Sequence, residues 1–182
     1  RIEIIRSPGS AIYGADAFAG IINLVSEDSE LEQSQLSVST GNFEQYNLGL
    51  LGVSKWRGIK WNYALNYQHY GDDPGRTLDA DLQTGLDLAF NTQASLAPGR
   101  FDGSYEQVSL NVQASFANTS ISYYGISGSF GFGAGVVEAL DPGTGHHHSQ
   151  VLDLKHKFEL FGIQETTLNA WYQDKHSQYP FT

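Results

Sequence analysis

In residues 60 to 70, KWNYALNYQHY, apolar and polar side chains alternate one for one. Trp61, Tyr63, Leu65 and Tyr67 share one parity, and Lys60, Asn62, Ala64, Asn66 and Gln68 share the other. Consecutive side chains of a strand point to opposite faces, so a period of two predicts a strand with one aromatic face and one amide-rich face. The pattern returns in residues 107 to 116, where Val108, Leu110, Val112, Ala114 and Phe116 oppose Gln107, Ser109, Asn111, Gln113 and Ser115. It returns again where Leu152, Leu154, Phe158 and Leu160 oppose Asp153, Lys155, Lys157 and Glu159, with His156 interrupting the apolar side. Residues 35–42, 45–54, 119–128 and 163–175 complete a series of seven strands with weaker contrast, the second of them blurred by Leu51 and Val53.

Two features separate this series from a soluble β-sandwich, the plainest home for alternating strands. Its strands run to ten or eleven residues, which is what a tilted membrane strand needs, whereas soluble strands commonly have about five or six. Its connections also alternate in length. Tight turns are expected near 56–59, 117–120 and 161–163, and long connections at 71–104 and about 130–149. Short turns at one end and long loops at the other describe an outer-membrane barrel. Trp56 and Trp61 flank a tight turn, and Tyr67 and Tyr70 lie towards the far end of the same strand. Ten residues at about 3.3 Å, tilted by about 40°, rise about 25 Å, the height of the apolar band of such barrels.

Composition narrows the field. The 182 residues suit one domain or part of a larger one, and a chain that starts at Arg1 without any methionine reads as a piece of a longer protein. Twenty acidic against ten basic residues, a formal charge of −10, argue against a nucleic-acid binder, which needs a basic surface to neutralise phosphates. The absence of cysteine excludes a disulfide framework and a Cys-based zinc site. No apolar run approaches the roughly 18 residues of a membrane helix, a test that barrel strands do not face.

Ahead of the strands stands RIEIIRSPGSAIYGADAFAGIINLVS, residues 1 to 26. RIEII and IINLV read as strands, SPGS as a turn, and SAIYGADAFAG as a compact helical turn. Its glycine spacing fits neither nucleotide-binding fingerprint, and no Gly-Lys-Ser/Thr follows. The stretch closely resembles the end of the plug domain of TonB-dependent outer-membrane receptors. Arg1, Ile2, Glu3, Ile5, Arg6, Pro8, Ser10, Tyr13, Gly14, Gly20, Ile22 and Asn23 carry the resemblance, while Ser7 and Ala19 stand where glycine is usual.

The resemblance implies an all-β fold class: an antiparallel transmembrane β-barrel fragment, about seven of roughly 22 strands, preceded by the end of an α+β plug domain. The expected domains are the plug end at 1–28, a linker at 29–34 and barrel wall over 35–182. It further implies import of a scarce nutrient, a ferric siderophore first, with haem or cobalamin as alternatives. Expected partners are the TonB energy-transducing complex, reached through a region this chain lacks, outer-membrane lipid and the nutrient; no nucleic acid, cofactor or enzymatic role is expected. Passive porin-like or structural barrels are the alternative, and a soluble β-sandwich binding module a more distant one.

Glu3, Arg6, Ser10, Tyr13 and Gly14 are the expected plug–barrel anchors. Asp153, Lys155, Lys157 and Glu159 offer Arg6 and Glu3 partners, because an arginine fork holds carboxylates bidentately. The long connections supply the candidate nutrient contacts: Arg76, Arg100, Phe101, Tyr105 and the run His146, His147 and His148. Three adjacent histidines in extended chain point to alternate sides and make no metal site unaided, although imidazole suits transition metals. Asp72, Asp73, Asp79 and Asp81 are weaker candidates for calcium, which takes six to eight oxygens, and no EF-hand spacing is present. A solvated acidic loop is the simpler expectation for them.

Overall fold

The computed structural model describes residues 2–5, 21–24, 33–133, 138–160 and 162–179. The chain divides into two compact units, Arg1–Leu31 and Glu32–Thr182. In the first, β1 (Ile2–Ile5) pairs antiparallel with β2 (Ile21–Leu24), with Ile2 opposite Leu24 and Ile5 opposite Ile21. Arg6, Ser10, Tyr13, Gly14 and the expected helical turn lie outside the described residues, as does the Glu3 side chain.

The second unit is built on β3 (Gln33–Gly41), β4 (Gln45–Trp56) and β5 (Ile59–Tyr70). A long connection then carries β6 (Thr77–Leu78), α1 (Leu82–Phe90) and β7 (Gly99–Arg100). The chain returns as β8 (Tyr105–Phe116), β9 (Thr119–Gly131), β10 (Thr144–Leu160) and β11 (Ile163–Gln178). The seven long strands form one antiparallel meander in the order β3-β4-β5-β8-β9-β10-β11. All seven strands expected from the alternation are present, and the fold is all-β with one short helix among the described residues. That helix is too short to cross a membrane.

The turns explain the sharp reversals. Arg57 and Gly58 both have positive φ, 51° and 78°, the signature of a two-residue hairpin turn whose twist matches that of its flanking strands. Ala117 and Gly162 take positive φ at the other two reversals of the same end. The long connections leave from the opposite end, where β5 joins β8 and β9 joins β10.

Each face of the sheet has one chemistry. Tyr63 lies opposite Val112, Leu65 opposite Leu110 and Tyr67 opposite Val108, and cross-strand pairs share a face. One row joins Leu36, Leu50, Leu65 and Leu110 across four strands. Among the described residues of the second unit no further large sheet covers this apolar face: the other ladder of that unit, β6–β7, has two short strands. No large side chain among the described residues is fully buried. Leu36 is 67 % exposed, Val38 73 % and Trp56 59 %. A sandwich would bury this face; here it is left bare.

The apolar band crosses the hydrogen-bonded rows at a slant. The row through Leu36 runs by Gly125 and Gln150 to Asp174 on β11. The apolar members of β11 on that face, Tyr172, Ala170 and Leu168, lie two to six residues further towards the tight turns. A band level in a membrane must slant across the rows when strands tilt, which barrel closure requires. His156, which breaks the alternation, is satisfied on this face: Nδ1 meets the Thr119 hydroxyl at 2.9 Å and its ring stacks on Phe158.

The opposite face is amide-rich. Asn62 Nδ2 donates to Gln113 Oε1 at 3.2 Å, and Asn66 Nδ2 donates to Asn47 Oδ1 at 3.0 Å. Leu51, Tyr124, Val151 and Trp171 share this face through the rows of β4, β9, β10 and β11. Their presence on the otherwise polar side is why β4 and β11 alternate less cleanly than β5 and β8.

Two expectations about the loop end need correction. β10 begins at Thr144, so His146, His147 and His148 are strand residues and not part of a loop. They pair with β9 on one side and β11 on the other, and two ladders outweigh the weak local preference of three histidines. Tyr105 likewise opens β8 and does not belong to the connection. The 71–104 connection also contains a helix and a short ladder that alternation could not reveal.

Candidate functional site: the loop end of the sheet

At the loop end, short polar residues fold the two long connections onto each other. α1 starts at Asp81, whose Oδ1 accepts from the Thr84 backbone N–H at 2.7 Å, while the Thr84 hydroxyl accepts from the Asp81 N–H at 3.1 Å. This reciprocal cap satisfies donors that a helix start leaves unpaired. Asp81 Oδ1 also accepts from the Ser95 hydroxyl, and Oδ2 accepts from the Leu140 N–H at 2.8 Å. Leu82 N–H donates to the Glu138 carbonyl at 3.1 Å. One carboxylate thus binds both connections. At the other end of α1, Asp87 accepts from the Thr92 hydroxyl and from the Ala94 and Ser95 N–H groups, closing the segment after Asn91.

These hydrogen bonds set both acidities. The Leu140 N–H, then Ser95 and Thr84, hold the Asp81 carboxyl well below the ordinary carboxylate range. The Thr92 hydroxyl, then Ser95, Gln83 and Ala94, do the same for Asp87. Hydrogen bonds to a carboxylate favour its ionised form.

Nearer the sheet, the ladder of β6 and β7 puts Thr77 opposite Arg100. The Phe101 N–H donates to the Arg76 carbonyl at 3.0 Å, and the Arg76 guanidinium sits 3.9 Å above the Phe101 ring. Asp72 lies beside them, 3 % exposed, with positive φ of 70°. Its Oδ2 accepts from the Gly103 N–H at 2.9 Å, while its buried Oδ1 has no hydrogen-bond partner. An unpaired buried carboxylate oxygen is costly unless something else completes it. Asp73 caps its own turn through the Gly75 N–H at 2.8 Å. Among the described residues no group of three or more His, Asp or Glu stands ready to hold a metal ion, and Asp72, Asp73, Asp79 and Asp81 do not gather into one set.

On the amide-rich face, Tyr105 pairs with Tyr70 on one side and Phe130 on the other. Phe130, Phe132 and Tyr179 form an aromatic cluster with centroids 5.5 to 6.4 Å apart. His147 joins it, tilted against Phe130 at 6.2 Å, with Nε2 3.3 Å from Gln107 Oε1. His146 and His148 point to the other face, because the strand alternates. So the structure brings Arg76 and Phe101 together, puts Tyr105 and His147 on the amide-rich side, and separates His146 and His148 from them. Phe130, Phe132 and Tyr179 were missed. Phe130 is near the end of β9, Phe132 opens the connection to β10 and Tyr179 follows β11, where parity is meaningful only once β10 is seen to reach Thr144.

A single long-stranded antiparallel sheet, with one bare apolar face, one amide face and structured loops at one end, has the form of a β-barrel wall segment. Curated relatives match this chain over a local stretch. A vitamin B12 transporter, BtuB, from Vibrio vulnificus (strain CMCP6) is 46 % identical over 46 residues, which is 25 % of this chain and 8 % of that protein. The scan against protein-family models finds no match, and no solved structure matches.

Proposed function

We propose that this chain is the plug end and the first barrel strands of a TonB-dependent outer-membrane receptor that imports a scarce nutrient. The observation that carries this reading is the bare apolar face, slanted across the hydrogen-bonded rows as tilted membrane strands require. The amide face then lines the lumen, the tight turns are periplasmic, and the long connections are extracellular. Trp56 and Phe116 stand at the periplasmic rim and Tyr46 and Tyr67 towards the outer one, where rings with an apolar body and a polar tip reside.

The cargo belongs to a bulky class: a ferric siderophore, haem or cobalamin. The local likeness to a vitamin B12 transporter supports keeping a corrinoid beside the siderophore. Arg76, Phe101, Tyr105 and His147, with Phe130, Phe132 and Tyr179, supply stacking surfaces and one fixed cation on the side the cargo would meet. Energy enters through TonB acting on a region before Arg1. Glu3, Arg6, Ser10, Tyr13 and Gly14 anchor the plug inside the wall in this reading.

These 182 residues contain no cysteine, so a cysteine-labelling test needs only that any cysteine elsewhere in the full-length protein be replaced by serine. In full-length protein, Asp79→Cys and Pro142→Cys should react with a membrane-impermeant maleimide on intact cells. Arg57→Cys and Asn118→Cys should react only after the outer membrane is opened. The reverse pattern overturns the topology. Uptake of the cargo that continues in cells lacking TonB overturns the energised mechanism and leaves a passive barrel.

A further inference from the structure

The register of the last hairpin brings His176 beside His146 and His148, which lie on the preceding strand. His146 and His148 are two residues apart on β10 and therefore share a face. His176 on β11 lies directly opposite His148. Directly opposed residues have Cβ atoms about 4.5–5.5 Å apart, and diagonal neighbours about 7–8 Å. Two residues along a strand span about 6.6 Å. These separations let three imidazoles lean over one point with metal–nitrogen distances of about 2.0–2.1 Å.

The surroundings leave room. On β9 the cross-strand neighbours of His146 and His148 are Ser129 and Ser127. His146 and His176 are exposed and His148 half-buried. The patch also stands clear of the apolar band, since Leu152, the first large apolar residue of this face on β10, is four residues below His148. As the side chains stand, they are not set to hold an ion. Exposed imidazoles change rotamer at little cost, whereas the backbone positions come from two complete ladders.

We propose that His146, His148 and His176 form a surface site for a divalent first-row transition metal such as Zn²⁺. Imidazole donors suit that class, and three protein nitrogens leave the fourth position of a tetrahedral set to water. The site rests only on the β10–β11 register. It would survive failure of the transport reading, and its own failure would leave that reading untouched.

His147 provides the internal control, because it points to the opposite face. Full-length protein purified in detergent and stripped with chelator is titrated with Zn²⁺ by calorimetry. Losing even an outer-shell partner costs a metal site about 10–100-fold in affinity, so His148→Ala and His176→Ala should each weaken one equivalent by at least about tenfold. His147→Ala should leave that equivalent unchanged. Gel mobility of the unheated protein reports whether each variant is folded, and His148→Asn and His176→Asn replace any that is not. Absence of the equivalent in the parent protein overturns the proposal. So does an equal loss in His147→Ala, which would mark a nonspecific histidine run.

Discussion

Leu110→Arg should remove about 2–4 kcal/mol from the stability of the full-length protein in a bilayer, while Asn111→Arg should cost less than about 1 kcal/mol. The two positions are neighbours near the middle of β8. They differ in face. Leu110 belongs to the row with Leu36, Leu50 and Leu65, and Asn111 to the amide side with Ala64 and Tyr124. An arginine directed into hydrocarbon must snorkel or drag water with it, whereas one directed into a wet lumen stays hydrated. Reversible unfolding in urea from vesicles measures both. Equal costs for the two substitutions would show that neither face meets lipid.

Asp81→Ala should free both long connections together. The change takes the N-cap from α1 and the acceptor from the Leu140 N–H and the Ser95 hydroxyl. Cleavage of full-length protein within 82–96 should rise at least about tenfold under limiting protease, where the rate follows the population of the open loop. Cleavage at 138–143 should rise with it, although the substitution lies about sixty residues away in sequence. Asp81→Asn should fall between, because its amide nitrogen cannot accept from Leu140. The pH dependence has a definite sign. The folded-state pKa values of Asp81 and Asp87 are lowered, so their contribution is complete above the ordinary carboxylate range and lost as pH falls below it. Loop protection should be flat from about pH 8 to pH 5 and decline below about pH 4 in the parent protein. In Asp81→Ala that decline should be smaller. Loosening confined to 82–96 would show that Leu140 is held by something else.

The calcium expectation and the Asp81 cap illustrate how far the sequence reaches in the loops. Four aspartates within ten residues look alike as letters. In the structure one is buried with an unpaired oxygen, one closes a turn and one caps a helix while gripping a second loop. Asp81 followed by Thr84 was a legible cap signal, since a short acceptor three residues before a helix-compatible side chain marks a helix start. The grip on Leu140 had no signal at all. It depends on where another loop passes, and loop paths are set by the strands that launch them.

What the sequence determined by itself was the set of strands and the two faces of each. Side-chain direction in extended chain is a local property of period two, so Leu65 and Leu110 were bound to share an apolar side and Asn66 and Asn111 a polar one once the strands formed. The tertiary structure alone decided the register between strands. A shift of pairing by two residues keeps every face and alters every neighbour, so the alternation cannot specify it. Register is what slants the apolar band, carries β10 back to Thr144, sets His176 across from His148, and gathers Phe130, Phe132 and Tyr179. It is fixed by whole ladders of backbone hydrogen bonds and by tight turns such as Arg57–Gly58, interactions spread along the chain that no short stretch of residues records.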